Sequence, residues 1–451
     1  MSQRHKKGND IRKTTERRKN EVARRFIRRI KKAIGIRHRL SVAAGLPEAC
    51  WFHILHAVAR PPVRAITRGP KTHWFGYYDK LQFDPTGRFV LANQVGFEHR
   101  SPRPNDCIKV GMVDTAEDNR WIELGESRAW NWQQGCMLQW IPGSDSEVIW
   151  NDREDGRFVS HILDVSSGKR RTLPNPIYCL SNDGSWALAP DFRRLNDCRP
   201  GYGYTGIPDP NFNVLAPENA GIWKMDLRTG EQRLLLSFAD IVRIPHKPGY
   251  SEGAKHWFNH LLVAPGDQRF VFLHRWRGKD EENGWLGWKT RMLTAGVDGK
   301  DVHVLIKSGN VSHFIWRDGQ HILCFSALAD QAPLSEWRFY LFQDRTGKAE
   351  LVEGMPAMDG HCTYLPDGQW ILCDTYPDKR QRQNPYLMHL PTRKRNPLGH
   401  FLSPPRYHTE WRCDLHPRCS PDGRTVAINS GHGGNGRQLY LIDIGGIVGK
   451  Q

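Results

Sequence analysis

The stretch Trp411-Arg412-Cys413-Asp414-Leu415-His416-Pro417-Arg418-Cys419-Ser420-Pro421-Asp422-Gly423-Arg424-Thr425-Val426-Ala427-Ile428 decides the fold. It joins a polar segment, an Asp-Gly turn and an apolar run, and the same order recurs along the chain. The turn with its following run occurs in seven versions: Phe83–Leu91, Ile141–Trp150, Leu180–Ala189, Ala264–Leu273, Trp316–Phe325, Leu365–Asp374 and Cys419–Ile428. Each run reads as an inward-facing strand. A second signal follows every copy, an apolar strand ending in a Thr-Gly-type hairpin, as in Trp223–Gly230 and Leu439–Gly445. Units of roughly 50 residues holding several short strands are the mark of a propeller blade. Little beyond His73 has helical periodicity, and Gly and Pro punctuate the chain. The reading is an all-β, seven-bladed β-propeller with a basic, partly helical N-terminal extension.

The expected boundaries are a basic extension at residues 1–45, a linker at 46–69 and the propeller at 70–451. Residues 191–220, rich in Pro, Gly, Tyr and Asn, form a long insertion, and loops of this length usually have a function. The net charge is +17, but residues 1–40 hold sixteen Lys and Arg against three acids, so the body is nearly neutral. Val22, Phe26, Ile30 and Ile34 recur at helical spacing in that tail. It could lie on an anionic membrane or touch nucleic acid, or remain a solvated extension. No apolar run approaches the roughly 18–20 residues of a membrane span. Leu40–Ala59 is interrupted by Pro47, Glu48, His53 and His56, which argues against a secretory signal. Ten cysteines without a C-x-x-C pair suit a reducing, cytoplasmic setting.

In the last four copies a histidine stands six or seven residues before the turn: His260, His313, His361 and His416. Stacked repeats present equivalent residues in equivalent directions, so these four should converge on the propeller axis. Asp414 lies two residues from His416 and would share its strand face. Several imidazoles with one carboxylate suit a divalent manganese, iron or zinc ion. Aromatics at the same level, including Trp74, Tyr77, Tyr78 and Tyr178, could stack on sugars or pack between blades. Arg275, Arg412 and Arg418 could hold carboxylates. His256, Asn259, His408 and His432 lie near the motifs without the support of the repeat.

Asn259-His260, Ser312-His313-Phe314, Gly360-His361-Cys362 and Asp414-Leu415-His416-Pro417, each ahead of its turn, resemble the oligogalacturonate lyase family over most of residues 70–446. The Pro-Asp-Gly turns are also similar to those of TolB-type propellers. The resemblance implies a seven-bladed propeller that cleaves acidic oligosaccharides by β-elimination with a bound divalent metal, typically manganese. It implies His313 and His416 as metal ligands and His260 as the base. His361 and Asp414 join the expected ligand set, with Arg418 as a carboxylate clamp and Tyr78 as a proton donor. Two departures stand out. Trp411 and Asp414 replace a family Gln and His, and no arginine occupies the family's catalytic arginine position near Gly221. A non-catalytic scaffold binding a protein or glycan, and another metal-dependent hydrolase or lyase, are the competing readings.

Overall fold

The computed structural model describes residues 61–246, 253–278, 287–330 and 332–449. The basic extension and linker residues 46–60 lie outside the described residues.

Seven four-stranded antiparallel sheets follow one another along the chain. The first blade is Thr72–Trp74, Phe89–Val95, Ile108–Asp114 and Arg120–Ser127. The fourth is Lys255–Val263, Arg269–Arg277, Lys289–Gly296 and His303–Ile306, and the fifth begins with Val311–Trp316. The seventh is composite: Arg418–Cys419, Thr425–Ser430 and Gln438–Asp443 are completed by Val63–Ala65, paired antiparallel to the last of them. The propeller therefore starts inside the segment read as linker, and its two chain ends share one blade.

The position of the apolar runs needs one correction. In each blade the run after the Asp-Gly turn is the second strand, and the strand before the turn lines the channel. The physical reason is burial on both faces. A second strand is covered by the neighbouring blades, so it reads as a nearly continuous apolar stretch. Phe89–Val95 is buried after its first residue and Trp370–Cys373 throughout. The turn chemistry explains the punctuation. Asp318, Asp367 and Asp422 each accept an N–H from the residue two positions on, and Gly87, Gly368 and Gly423 take φ of 67–74°. Tryptophans fill the space between blades: Trp74, Trp130 and Trp132 pack with ring centroids 5.0–5.6 Å apart.

The insertion is a folded cover. Asp191 caps a helix at Phe192–Cys198 by accepting from the Arg193 and Arg194 N–H groups. Arg194 is fully buried; it pairs with Asp209 and donates to the carbonyls of His256, Asn211 and Leu215. One guanidinium thus ties both halves of the insertion to the first strand of the fourth blade.

Candidate metal centre and active site

The backbone aims the histidines through local irregularities. The pairing register of the inner strand shifts between Asn259 and Leu262, and again between Val311 and Phe314, so His260 and His313 sit in bulges. Bulges re-aim side chains and gather near functional sites. His260 has φ 52° and His416 φ 44°, a left-handed conformation that costs a non-glycine residue about 1–2 kcal/mol. Asn259 accepts the His260 N–H through its side chain, which supports the turned backbone. Strain of this kind persists where the surroundings over-determine it, as at binding sites.

The rings converge as the repeat implied. His361 stands 4.2 Å from His313 and 4.3 Å from His416, centroid to centroid. His260 stacks on Tyr77 at 5.1 Å, and the same tyrosine meets His416 edge-on at 4.9 Å. Ligand atoms of His361, Asp414 and His416 all lie within 4.8 Å of one another, and all three residues are buried. His313 is adjacent to this triple and outside it.

Two atoms show what the triple can hold. Nε2 of His361 and Nε2 of His416 are buried with no hydrogen-bond partner. Their opposite nitrogens are anchored: Nδ1 of His361 meets Asp374 at 3.0 Å and Nδ1 of His416 meets the Gly76 carbonyl at 2.8 Å. A buried ring nitrogen without a partner is costly. A ring fixed from behind by a carboxylate or carbonyl, with its other nitrogen open, is the usual arrangement of a metal-binding histidine. Asp414 adds a carboxylate beside these atoms, held by Arg412 Nε at 2.6 Å. The donor set therefore fits a divalent ion of borderline hardness. His313 is backed in the same manner by Asp359 at 3.0 Å.

Electrostatics keep most of the cluster neutral. Burial, then Arg199 and His313, lowers the His260 pKa well below 6.5, and burial followed by His361 does the same for His416. His361 moves the other way: burial opposes protonation, but Asp374, Asp414 and Asp359 together outweigh it. That concentration of negative charge is the environment a cation would neutralise.

Two expected roles are not met. The Tyr78 hydroxyl donates to the Phe314 carbonyl at 2.7 Å and accepts the Phe314 N–H at 3.2 Å. It bridges the first and fifth blades across the channel, and its proton is committed. Arg418 donates to Gln82 at 2.6 Å, the Gly76 carbonyl at 3.2 Å and Asn429 at 3.4 Å. Rather than clamp a ligand, it steadies the carbonyl that holds His416. Of the unsupported residues, His256 is hydrogen-bonded to His274 at 2.8 Å, and His432 packs on Phe401 and Tyr440.

Gly221, near which the sequence has no arginine, admits no side chain at all: a Cβ there would lie 1.9 Å from the Leu236 carbonyl oxygen. Positive charge reaches the site from elsewhere. Arg412 Nη2 donates to the Tyr202 hydroxyl at 2.8 Å, Arg199 lies 3.9 Å over the Tyr202 ring, and Tyr202 stands 5.5 Å from His260. Arg199 and Tyr202 both belong to the insertion, which thus helps to build the site. Sequence reasoning missed Tyr77 as distinct from Tyr78, and also Asp359, Asp374, Arg199 and Tyr202. The Asp359-Gly360-His361 spacing and the acid ending the Leu365–Asp374 run were available signals.

Gly76 carries a prediction. A Cβ there would meet the Gln134 carbonyl oxygen at 2.8 Å. Gly76→Ala must shift the backbone whose carbonyl anchors His416. Metal affinity should fall about tenfold or more, in line with loss of an outer partner, measured by competition with a chelating dye. Unchanged affinity would remove Gly76 from that role.

No protein-family model matches the chain, and no curated protein matches it. Solved structures do. An oligogalacturonate lyase in complex with manganese superposes with TM-score 0.61 and 17% identity, over 85% of this chain and 93% of that one. An oligogalacturonate lyase from Vibrio parahaemolyticus gives 0.58 and 16%, over 85% and 94%. TolB from Acinetobacter baumannii gives 0.39 and 16%, over 69% and 63%. The chain is thus similar in fold to oligogalacturonate lyases across nearly their whole length.

Proposed function

We propose that this chain is a divalent-metal-dependent carbohydrate lyase that cuts acidic oligosaccharides by β-elimination beside a uronic-acid carboxylate. One observation carries the proposal: the two partnerless Nε2 atoms of His361 and His416, backed from behind and facing a shared region with Asp414. The manganese complex of a lyase with this fold supports manganese as the ion, with iron or zinc as alternatives. A divalent ion held by His361, Asp414 and His416 would act as a Lewis acid on the substrate carboxylate, offsetting the charge that develops beside it.

The other steps belong to the chain's own side chains. His260, neutral for the reasons above, takes the proton from C5 of the uronic acid. The electron pair of that C–H bond becomes the C4–C5 double bond, and the C4–O bond breaks with its electrons on oxygen. Tyr77 then gives that oxygen a proton. Burial holds the Tyr77 pKa well above 10, so the group is protonated at neutral pH, and its ring lies against both His260 and His416. Arg412 orients Asp414, and His313 with Asp359 completes the wall of the site.

The direct test is ultraviolet absorbance of the unsaturated product. Oligogalacturonate and other uronides would be offered with manganese added, and again with manganese removed. Metal-dependent formation of a 4,5-unsaturated end is the expected result. Bound metal without product from any uronide would favour a metal-holding scaffold.

The two neighbouring tyrosines should separate. Tyr77→Phe is expected to slow turnover about a hundredfold with little loss of stability. Tyr78→Phe should leave turnover nearly intact and cost about 1–3 kcal/mol, because it strips partners from the buried Phe314 backbone. Thermal unfolding and kcat on both variants check this, and a reversed pattern would exchange the two roles.

A further inference from the structure

The second blade, Gln139–Trp140, Glu147–Glu154, Arg157–Asp164 and Arg170–Leu173, carries another group of ligating side chains on its three outer strands. Asp152 and Glu154 alternate along one face of the second strand. His161 of the third strand pairs opposite Trp150, which puts it on that same face, diagonal to Asp152. Thr172 of the fourth strand is opposite His161. One ligand atom from each of Asp152, Glu154 and His161 lies within 4.8 Å of the other two.

The distances suit ligands around an ion better than they suit hydrogen bonds. His161 Nε2 is 3.3 Å from Asp152 Oδ2 and 3.3 Å from Glu154 Oε1. A charge-assisted N–H···O bond closes to about 2.7–2.9 Å, and one N–H points at one oxygen. A tetrahedral zinc ion with bonds of about 2.0–2.1 Å holds its ligand atoms about 3.3 Å apart.

The groups behind these ligands are in place. His161 is fully buried against Trp150, and Thr172 Oγ1 holds its Nδ1 at 3.0 Å, which turns Nε2 to the carboxylates. Asp152 is buried too; its Oδ1 accepts the Arg128 and Arg153 N–H groups at 2.6 and 2.7 Å, which leaves Oδ2 toward His161. Ligands oriented in this way from an outer layer are the mark of a built metal site. Among the described residues neither Asp152 nor Glu154 pairs with a lysine or arginine; each meets His161 instead. Two carboxylates on one ring leave negative charge, part of it buried, that a divalent cation offsets.

We propose that Asp152, Glu154 and His161 form a second metal site, separate from the channel, which takes zinc through one nitrogen and two carboxylate oxygens with water as the fourth ligand. The imidazole favours zinc over calcium or magnesium. The Glu154 side chain is 44% exposed, so the ion exchanges with solvent and is bound when zinc is supplied. Arg153, between the two carboxylates, donates to the carbonyls of Pro104 and of Thr205 in the insertion. The ion therefore braces the hairpin on which that cover rests.

The test is calorimetric titration of the chelator-stripped, full-length protein with zinc chloride, for the wild type and three variants. One class of zinc sites should disappear in Glu154→Gln and in His161→Ala and persist in the His361→Ala, His416→Ala double variant. Loss of a ligand should weaken that class by about a hundredfold or more, at least what loss of an outer partner can do. Zinc should also raise the melting temperature of the double variant, and Glu154→Gln added to it should abolish the rise. Glu154→Gln changes an exposed group, so it decides the matter if His161→Ala does not fold. Zinc affinity that survives both single changes, or zinc binding lost in the channel double variant, would overturn the site. So would displacement of zinc by an equal concentration of calcium. The lyase reading does not enter, because the decisive protein lacks the channel ligands.

Discussion

Replacing His260 by Ala should lower turnover of a uronide about 10²- to 10⁴-fold while the protein keeps its full complement of metal. The residue is chosen by geometry. It is the one repeat-aligned histidine outside the cluster of three nearest rings, it stacks on Tyr77, and its backbone is held at φ 52° by a bulge and by Asn259. Burial and Arg199 lower its pKa, so the imidazole is neutral and able to accept a proton. A factor of 10²–10⁴ corresponds to about 3–5 kcal/mol of barrier. A base without metal-holding duty predicts separable outcomes, activity lost and metal retained. Metal lost together with activity would place His260 among the ligands. An unchanged rate would remove it from the chemistry.

The second large effect concerns stability. A metal that binds the folded chain and not the unfolded one stabilises it by about 2.7 kcal/mol when free ion is about a hundredfold above its dissociation constant. Stripping the ion with a chelator should therefore lower the melting temperature of the wild type, and returning manganese should restore it. In His416→Ala most of that increment should vanish. The variant also deletes a buried imidazole with one partnerless nitrogen. Its metal-free form is thus expected to lose less stability than an ordinary buried-residue truncation, about 2–5 kcal/mol. An identical response to manganese in the two proteins would put the ion elsewhere.

The contrast between Tyr77 and Tyr78 shows where the sequence is legible and where it is not. Blade number and turn positions could be read because several repeats share local rules, an Asp that accepts an N–H two residues on and a Gly at positive φ, as at Asp367-Gly368 and at Asp422-Gly423. The convergence of His313, His361 and His416 could be read because repeats preserve direction. Which of two adjacent tyrosines keeps a usable proton depends on Phe314, more than two hundred residues away and in another blade. No local pattern encodes that. The same holds for Arg418, whose partners Gln82 and Gly76 lie in the first blade, more than three hundred residues away. The insertion was visible as a composition shift at 191–220. Its contribution of Arg199 and Tyr202 to the site depends on Arg194 fastening it to the fourth blade, a long-range connection. The absence of an arginine near Gly221 could be read, but the close approach of the Leu236 carbonyl to Gly221 could not.

The most direct test is the metal content of protein purified without added ions, measured beside a His361→Ala, His416→Ala double variant. One manganese, iron or zinc ion per chain in the wild type, absent from the double variant, is the predicted result. No ion in either protein, even after soaking with each metal in turn, would contradict it.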